Sequence, residues 1–160
     1  MNITPVEKKP FGAIVTDVDL ANLNDETFSL IQVAFLKFGF LLFPTQFLSD
    51  QENIEFGQRF GELEFGASPM SNQEKLAEGH YEKIFSIESQ RMRTNVGNET
   101  WHTDSTYKPI SSKCAMLSAV RVPTEGGATE LADMRAGYAA LDQATRDRIE
   151  NLSAYHSTQY

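Results

Sequence analysis

His102 and Asp104 stand two residues apart in the run WHTDSTYKP, residues 101–109. In a strand, residues i and i+2 share a face, so this spacing sets an imidazole and a carboxylate side by side and turns Trp101 and Thr103 the other way. Such a pair can chelate one ion. Nitrogen and oxygen donors without a thiolate suit iron, manganese or zinc, and two histidines with one carboxylate on one octahedral face are the ligand set of non-haem Fe(II) oxygenases. A third ligand is then required. The dyad alone is a weak pattern: with three histidines and about one residue in seven acidic, roughly 0.4 His-x-Asp/Glu occurrences arise by chance in such a chain. The plain alternative is an exposed strand with a polar face.

The elements that must position this pair are read from periodicity and caps. PFGAIVTDVDL has the texture of a strand. NDETFSLIQVAFLKF has polar starters and apolar residues at helical spacing, and Gly39 stops it before the apolar strand FLLF, closed by Pro44. The opening is therefore β, α, β. Ser49 and Glu52 have capping-box spacing, which predicts a helix from Ser49 through NIEFGQRF to Gly61, with Phe56 and Phe60 packed in the core. The polar, aperiodic stretch GELEFGASPMSNQEKLAEGHYE reads as a long loop. Strand-like runs follow at EKIFSIES, TWHTDSTY, CAMLSAVRV and ATELAD, separated by turn formers, and suggest a sandwich or barrel. Two helices close the chain, one from about Met134 to Leu141 and one capped by Asp142.

Length and charge narrow the partners. A chain of 160 residues suits one domain, with no repeat or low-complexity tract to divide it. Fourteen Lys and Arg against 22 Asp and Glu give a formal charge of −8, without a basic cluster to track phosphates, so nucleic acid and anionic membrane surfaces are not expected partners. The N-terminus lacks a signal-peptide pattern, and the most apolar stretch, Val33 to Phe43, carries Lys37 and is too short to span a bilayer. The lone Cys114 permits no internal disulfide, which fits a reducing cytoplasm, and burial in an apolar strand would leave its thiol inert.

The string around the dyad is more specific than the dyad. WHTDSTYKPISSKCAMLSAVRVPTEGGATELADMRAGYAALD resembles the core of the taurine dioxygenase and 2,4-dichlorophenoxyacetate dioxygenase (TauD/TfdA) family, nearer the second type. The matching features are WHTD, the apolar strand ending in VP, the GGAT turn and DMRAGYAAL, with weaker likeness through FLLFPTQFLSDQENIEFGQRFGELE and the final LSAYHS. The resemblance implies an Fe(II)- and 2-oxoglutarate-dependent dioxygenase with a double-stranded β-helix, or jelly-roll, core and flanking helices. It covers residues 1–160 as a single domain that is incomplete at the C-terminus, a little over half of the family's domain.

Carried onto this chain, the resemblance makes His102 and Asp104 the first two iron ligands. Thr129 becomes the contact to a carboxylate of 2-oxoglutarate, with Gly126 and Gly127 giving the tight turn before it, and Asn98 becomes a substrate contact. Trp101 is expected to pack beside the metal strand. The family's third ligand is a histidine near the C-terminus, followed about ten residues later by an arginine suited to bidentate carboxylate recognition, and this sequence has neither. Its other histidines are His80 and His156, both poor matches to that position. Two readings follow. One is the N-terminal portion of a dioxygenase that uses O2 to hydroxylate a small, anionic organic substrate, releasing succinate and CO2, with homo-oligomers left open. The other is a truncated, inactive metal-binding or interaction module.

Overall fold

The computed structural model describes residues 1–9, 11–64, 73–75, 81–84, 86, 88–90, 93, 100–119 and 122–156. The chain divides into two compact units. The first joins Met1–Phe60 to Met116–Tyr155, and the second joins Gly61–Ala115 to His156–Tyr160.

In the first unit, β1 (Asn2–Pro5) pairs antiparallel with β2 (Ala13–Thr16), which pairs in parallel with β3 (Leu41–Leu42). A parallel pair needs a crossover, supplied by α1 (Asp25–Phe38). Both ends of α1 are set by local chemistry. The Asn24 side chain accepts from Thr27 N–H at 2.8 Å, Asp25 and Glu26 occupy the first turn, and Lys37 the last. At the far end Gly39 adopts φ +79 and its N–H donates to Phe35 O at 2.8 Å. The strand β2 begins against Gly12, where a Cβ would lie 2.2 Å from the Phe40 ring, so only glycine permits this approach.

The core sits between α1, the segment before it and α2 (Asp50–Gln58). Leu20, Phe28, Ile31 and Phe56 are buried, with Val18, Leu23, Leu41, Phe43, Leu48 and Phe60 packed on them. The rings of Phe28, Phe56 and Phe60 meet edge to face, the arrangement their quadrupoles favour. The predicted capping box is present at Ser49: Glu52 N–H donates to Ser49 Oγ at 3.3 Å, and Ser49 N–H donates to Glu52 Oε2 at 2.8 Å. The Ser49 donors hold the Glu52 carboxyl below its ordinary range. Just past α2, Arg59 donates to Leu23 O at 2.8 Å, pairs with Asp25 at 2.5 Å and lies over the Phe28 ring, clamping the two helices together. Near the end of the unit, α3 (Met134–Ala139) is capped by Asp133 and α4 (Gln143–Ile149) by Asp142. Arg135 of α3 reaches back to Leu36 O, one of the unpaired carbonyls at the end of α1.

In the second unit, β4 (Gln73–Lys75) pairs antiparallel with β5 (Tyr81–Ile84). Several expectations are corrected here. Short strands lie within and at the edge of the stretch read as loop. The strand expected over EKIFSIES is Tyr81–Ile84, and β1 lies where no strand was assigned. TWHTDSTY is not a strand: Asp104–Tyr107 form a turn, closed by Lys108 N–H donating to Ser105 O at 3.1 Å, with Ser105 at φ +58. The described parts of CAMLSAVRV and ATELAD are likewise outside any ladder, with Leu117, Val122 and Leu131 well exposed. A strand exists only through its neighbours, and a β-branched composition supplies the propensity but not the partner. Among the described residues the architecture is a small mixed sheet and a two-stranded pair, accompanied by helices. No helix among them is long and apolar enough to cross a membrane.

Candidate metal centre

In the second unit His102 and Asp104 stand side by side at the entry to a turn that begins at Asp104, not on a strand. His102 Nε2 lies 3.3 Å from Asp104 Oδ1, and about half of each side chain is open to solvent. The other ring nitrogen is accounted for: His102 Nδ1 lies 2.7 Å from Thr100 O. A carbonyl oxygen can only accept, so Nδ1 carries the proton and donates, and in the neutral ring Nε2 presents its lone pair to Asp104. This is the arrangement in which a backbone carbonyl orients a metal-binding imidazole.

Two lone pairs that face each other at this distance need something positive between them, either a proton on Nε2 or a cation. Donors each about 2.1 Å from one ion lie roughly 3.0 Å apart at an octahedral right angle and roughly 3.4 Å apart at a tetrahedral angle. The observed 3.3 Å falls within that interval. A nitrogen and an oxygen donor of this kind fit iron, manganese or zinc. Among the described residues, no group of three or more His, Cys, Asp or Glu side chains is placed to hold an ion. His156 shares a 2.8 Å hydrogen bond through Nδ1 with Thr106 Oγ1, two residues past Asp104, and does not complete the pair.

The loop carrying the pair is anchored by a residue that sequence reasoning left inside a polar loop. Glu64 accepts from Ser105 Oγ at 2.6 Å through Oε1 and from Ser112 Oγ through Oε2, and it is ion-paired to Lys108. The hydrogen bond from the Lys108 ammonium, followed by those from Ser105 and Ser112, pulls the Glu64 carboxyl from an ordinary 4.5 down to about 2. No spacing rule could have signalled this, because Glu64 and Ser105 are 41 residues apart.

The remaining expectations divide. Thr129 belongs to the first unit and is exposed, and Gly126 and Gly127 before it adopt φ +71 and +68, the tight turn expected of GGAT. Asn98 and His80 lie outside the described residues. Trp101 does not pack as expected: it is 69% exposed, because it precedes a turn and has no strand to lie on. Cys114 is half-buried, and burial pushes its thiol upward, away from the reactive thiolate.

Comparison with known proteins extends this geometry. Residues 2–160 match the family described as taurine catabolism dioxygenase TauD, TfdA family. The (S)-phenoxypropionate/alpha-ketoglutarate-dioxygenase of Sphingobium herbicidovorans is 42% identical over 159 residues, 99% of this chain and 54% of that protein. The alpha-ketoglutarate-dependent 2,4-dichlorophenoxyacetate dioxygenase of Cupriavidus pinatubonensis is 33% identical over 157 residues, covering 91% of this chain and 55% of that protein. The crystal structure of AAD-2 in complex with Mn(II) and N-oxalylglycine matches 93% of this chain and 52% of its own, with 35% identity and a TM-score of 0.84. The chain thus spans about half the length of the relatives it matches. From residue 2 to residue 160, it belongs to the TauD/TfdA family of dioxygenases.

Proposed function

We propose that this chain is the metal-binding portion of an Fe(II)- and 2-oxoglutarate-dependent dioxygenase that hydroxylates a small anionic substrate of the aryloxyalkanoate type. The observation that carries the reading is the 3.3 Å approach of His102 Nε2 to Asp104 Oδ1, with His102 Nδ1 oriented 2.7 Å from its acceptor Thr100 O. The family supports the cofactors, and the AAD-2 complex supports the metal and co-substrate chemistry, since N-oxalylglycine is 2-oxoglutarate with an NH in place of a CH2. The same likeness supports a jelly-roll oxygenase core for the whole protein, of which residues 1–160 form part of one domain.

In this reading His102 and Asp104 would be the residues of this chain that hold the iron. Thr129 donates its hydroxyl proton to a carboxylate oxygen of 2-oxoglutarate, on a turn made possible by Gly126 and Gly127. Asn98 contacts the substrate. When bound together, iron and 2-oxoglutarate supply the oxidative chemistry that consumes O2 and yields succinate and CO2. The protein's residues hold the ligands in a preset geometry and orient the co-substrate. Hydroxylation of a carbon next to an ether oxygen would release a carbonyl fragment, which suits the aryloxy acids named for the relatives.

A second reading, a metal-binding or interaction module without turnover, is favoured by one observation: no third ligand joins the pair among the described residues. Succinate formation from 2-oxoglutarate with Fe(II) and a phenoxypropionate, assayed in the complete native product, separates the two. Formation that is lost in His102→Ala and Asp104→Ala supports the oxygenase, and metal binding without succinate supports the module. Neither metal binding nor succinate would overturn both.

A further inference from the structure

We propose that Glu64 is a positioning residue for the His102–Asp104 pair: its carboxylate gathers Ser105, Lys108 and Ser112 and thereby fixes the turn on which Asp104 is carried. The inference rests on the reading of that pair as metal ligands. Ser105 is covalently next to Asp104 and is the buried polar residue of the described chain, 6% exposed. Its hydroxyl donates to Glu64 Oε1 at 2.6 Å. Ser112 donates to Oε2, its Oγ lying 3.1 Å from Ser105 Oγ, and the Lys108 ammonium closes on Oε1. One carboxylate thus serves three donors spaced at i, i+3 and i+7 along the loop, and both of its oxygens are used.

The backbone gives this clasp something to hold. Ser105 sits at φ +58, a conformation that a residue with a side chain keeps only where surrounding contacts enforce it. Lys108 N–H donating to Ser105 O closes the turn from within at 3.1 Å, and the Glu64 contacts fix it from without. Released from Glu64, Ser105 would relax toward ordinary backbone angles. Rotation there carries the Asp104 carboxylate away from His102 Nε2, and an ion would then have to order both donors as it binds. Partners that orient ligands in this way typically account for 10- to 100-fold in metal affinity.

The test is Mn(II) titration of the complete native product, labelled in its histidine rings, read as paramagnetic broadening of the His102 resonances. Circular dichroism sets a temperature at which every variant is folded. Wild type is expected to broaden selectively at His102, and Asp104→Ala to lose that selectivity. Glu64→Ala is expected to need at least about tenfold more Mn(II) for the same broadening. Ser105→Ala should weaken binding in the same direction, and the double variant should be no weaker than Glu64→Ala alone, because both changes break one contact. The near-isosteric Glu64→Gln, which retains an acceptor, should fall between wild type and Glu64→Ala. Wild-type rings indifferent to Mn(II), or an Asp104→Ala variant equal to wild type, would remove the metal reading itself. Loss in Asp104→Ala with no change in Glu64→Ala or Glu64→Gln, or effects of Glu64→Ala and Ser105→Ala that simply add, would overturn the role of Glu64 and leave the metal reading standing.

Discussion

At the scale of single residues, the pair His102 and Asp104 depends on where protons reside. Nδ1 donates to Thr100 O, so Nε2 is the ring nitrogen that faces Asp104 and that the proposed function assigns to a cation. Replacing either residue by alanine leaves one donor, and Mn(II) affinity is expected to fall about 100-fold or more in calorimetric titration, since a lone exposed donor offers no chelate. Glu64 gives a separate prediction in pH. Its carboxyl is held at about 2 in the folded chain, below its ordinary 4.5, so the unfolded chain takes up a proton first as pH falls. The contribution of Glu64 to stability is therefore complete above about pH 4.5, declines between about 4.5 and 2, and is absent below. Urea unfolding of wild type and Glu64→Gln across this range should show curves that differ most above pH 4.5 and converge as pH approaches 2.

At the scale of elements, what was legible in the sequence is what local chemistry decides. The polar start and Gly39 stop of α1, the Ser49 capping box and the Asp142 cap each lie within a few residues of the groups they satisfy, and each predicted helix formed. Strands were read less well, because a run such as TWHTDSTY has β propensity but becomes a strand only if another segment supplies the ladder; here it makes a turn tied to Glu64. The closeness of His102 and Asp104 was legible from their spacing, but the strand expected to carry them is absent: Asp104 opens the turn Asp104–Tyr107 and His102 stands just before it. The anchor at Glu64 was not legible at all, since its partners are distant in sequence. The helical core lends itself to a direct measurement. Ile31 is fully buried between α1 and its neighbours, so Ile31→Ala should cost about 2–5 kcal/mol of unfolding free energy, whereas Ser49→Ala, which breaks only the cap, should cost about 0.5–2 kcal/mol in the same urea experiment.

At the scale of the whole molecule, exposed apolar side chains and unladdered segments make one argument. Within the first unit Leu117 is 83% exposed and Val122 and Leu131 more than half, on segments outside any ladder among the described residues, and Met134 and Tyr138 of α3 are at least half exposed. Exposed apolar surface next to open backbone donors and acceptors is the combination that drives edge-to-edge association. The relatives matched by this chain are about twice its length. Both facts lead to the same expectation: further chain covers these side chains and, in the proposed function, completes the metal site. The 160-residue chain expressed by itself is then expected to associate at micromolar concentration in sedimentation velocity and to release no succinate from 2-oxoglutarate with Fe(II). The product isolated from its source is expected to have an intact mass well above 17.9 kDa. A native product of 17.9 kDa that sediments as a monomer would mean that the apolar segments need no cover and that two ligands are the whole metal site, which would move the function from oxygenase to metal-binding module.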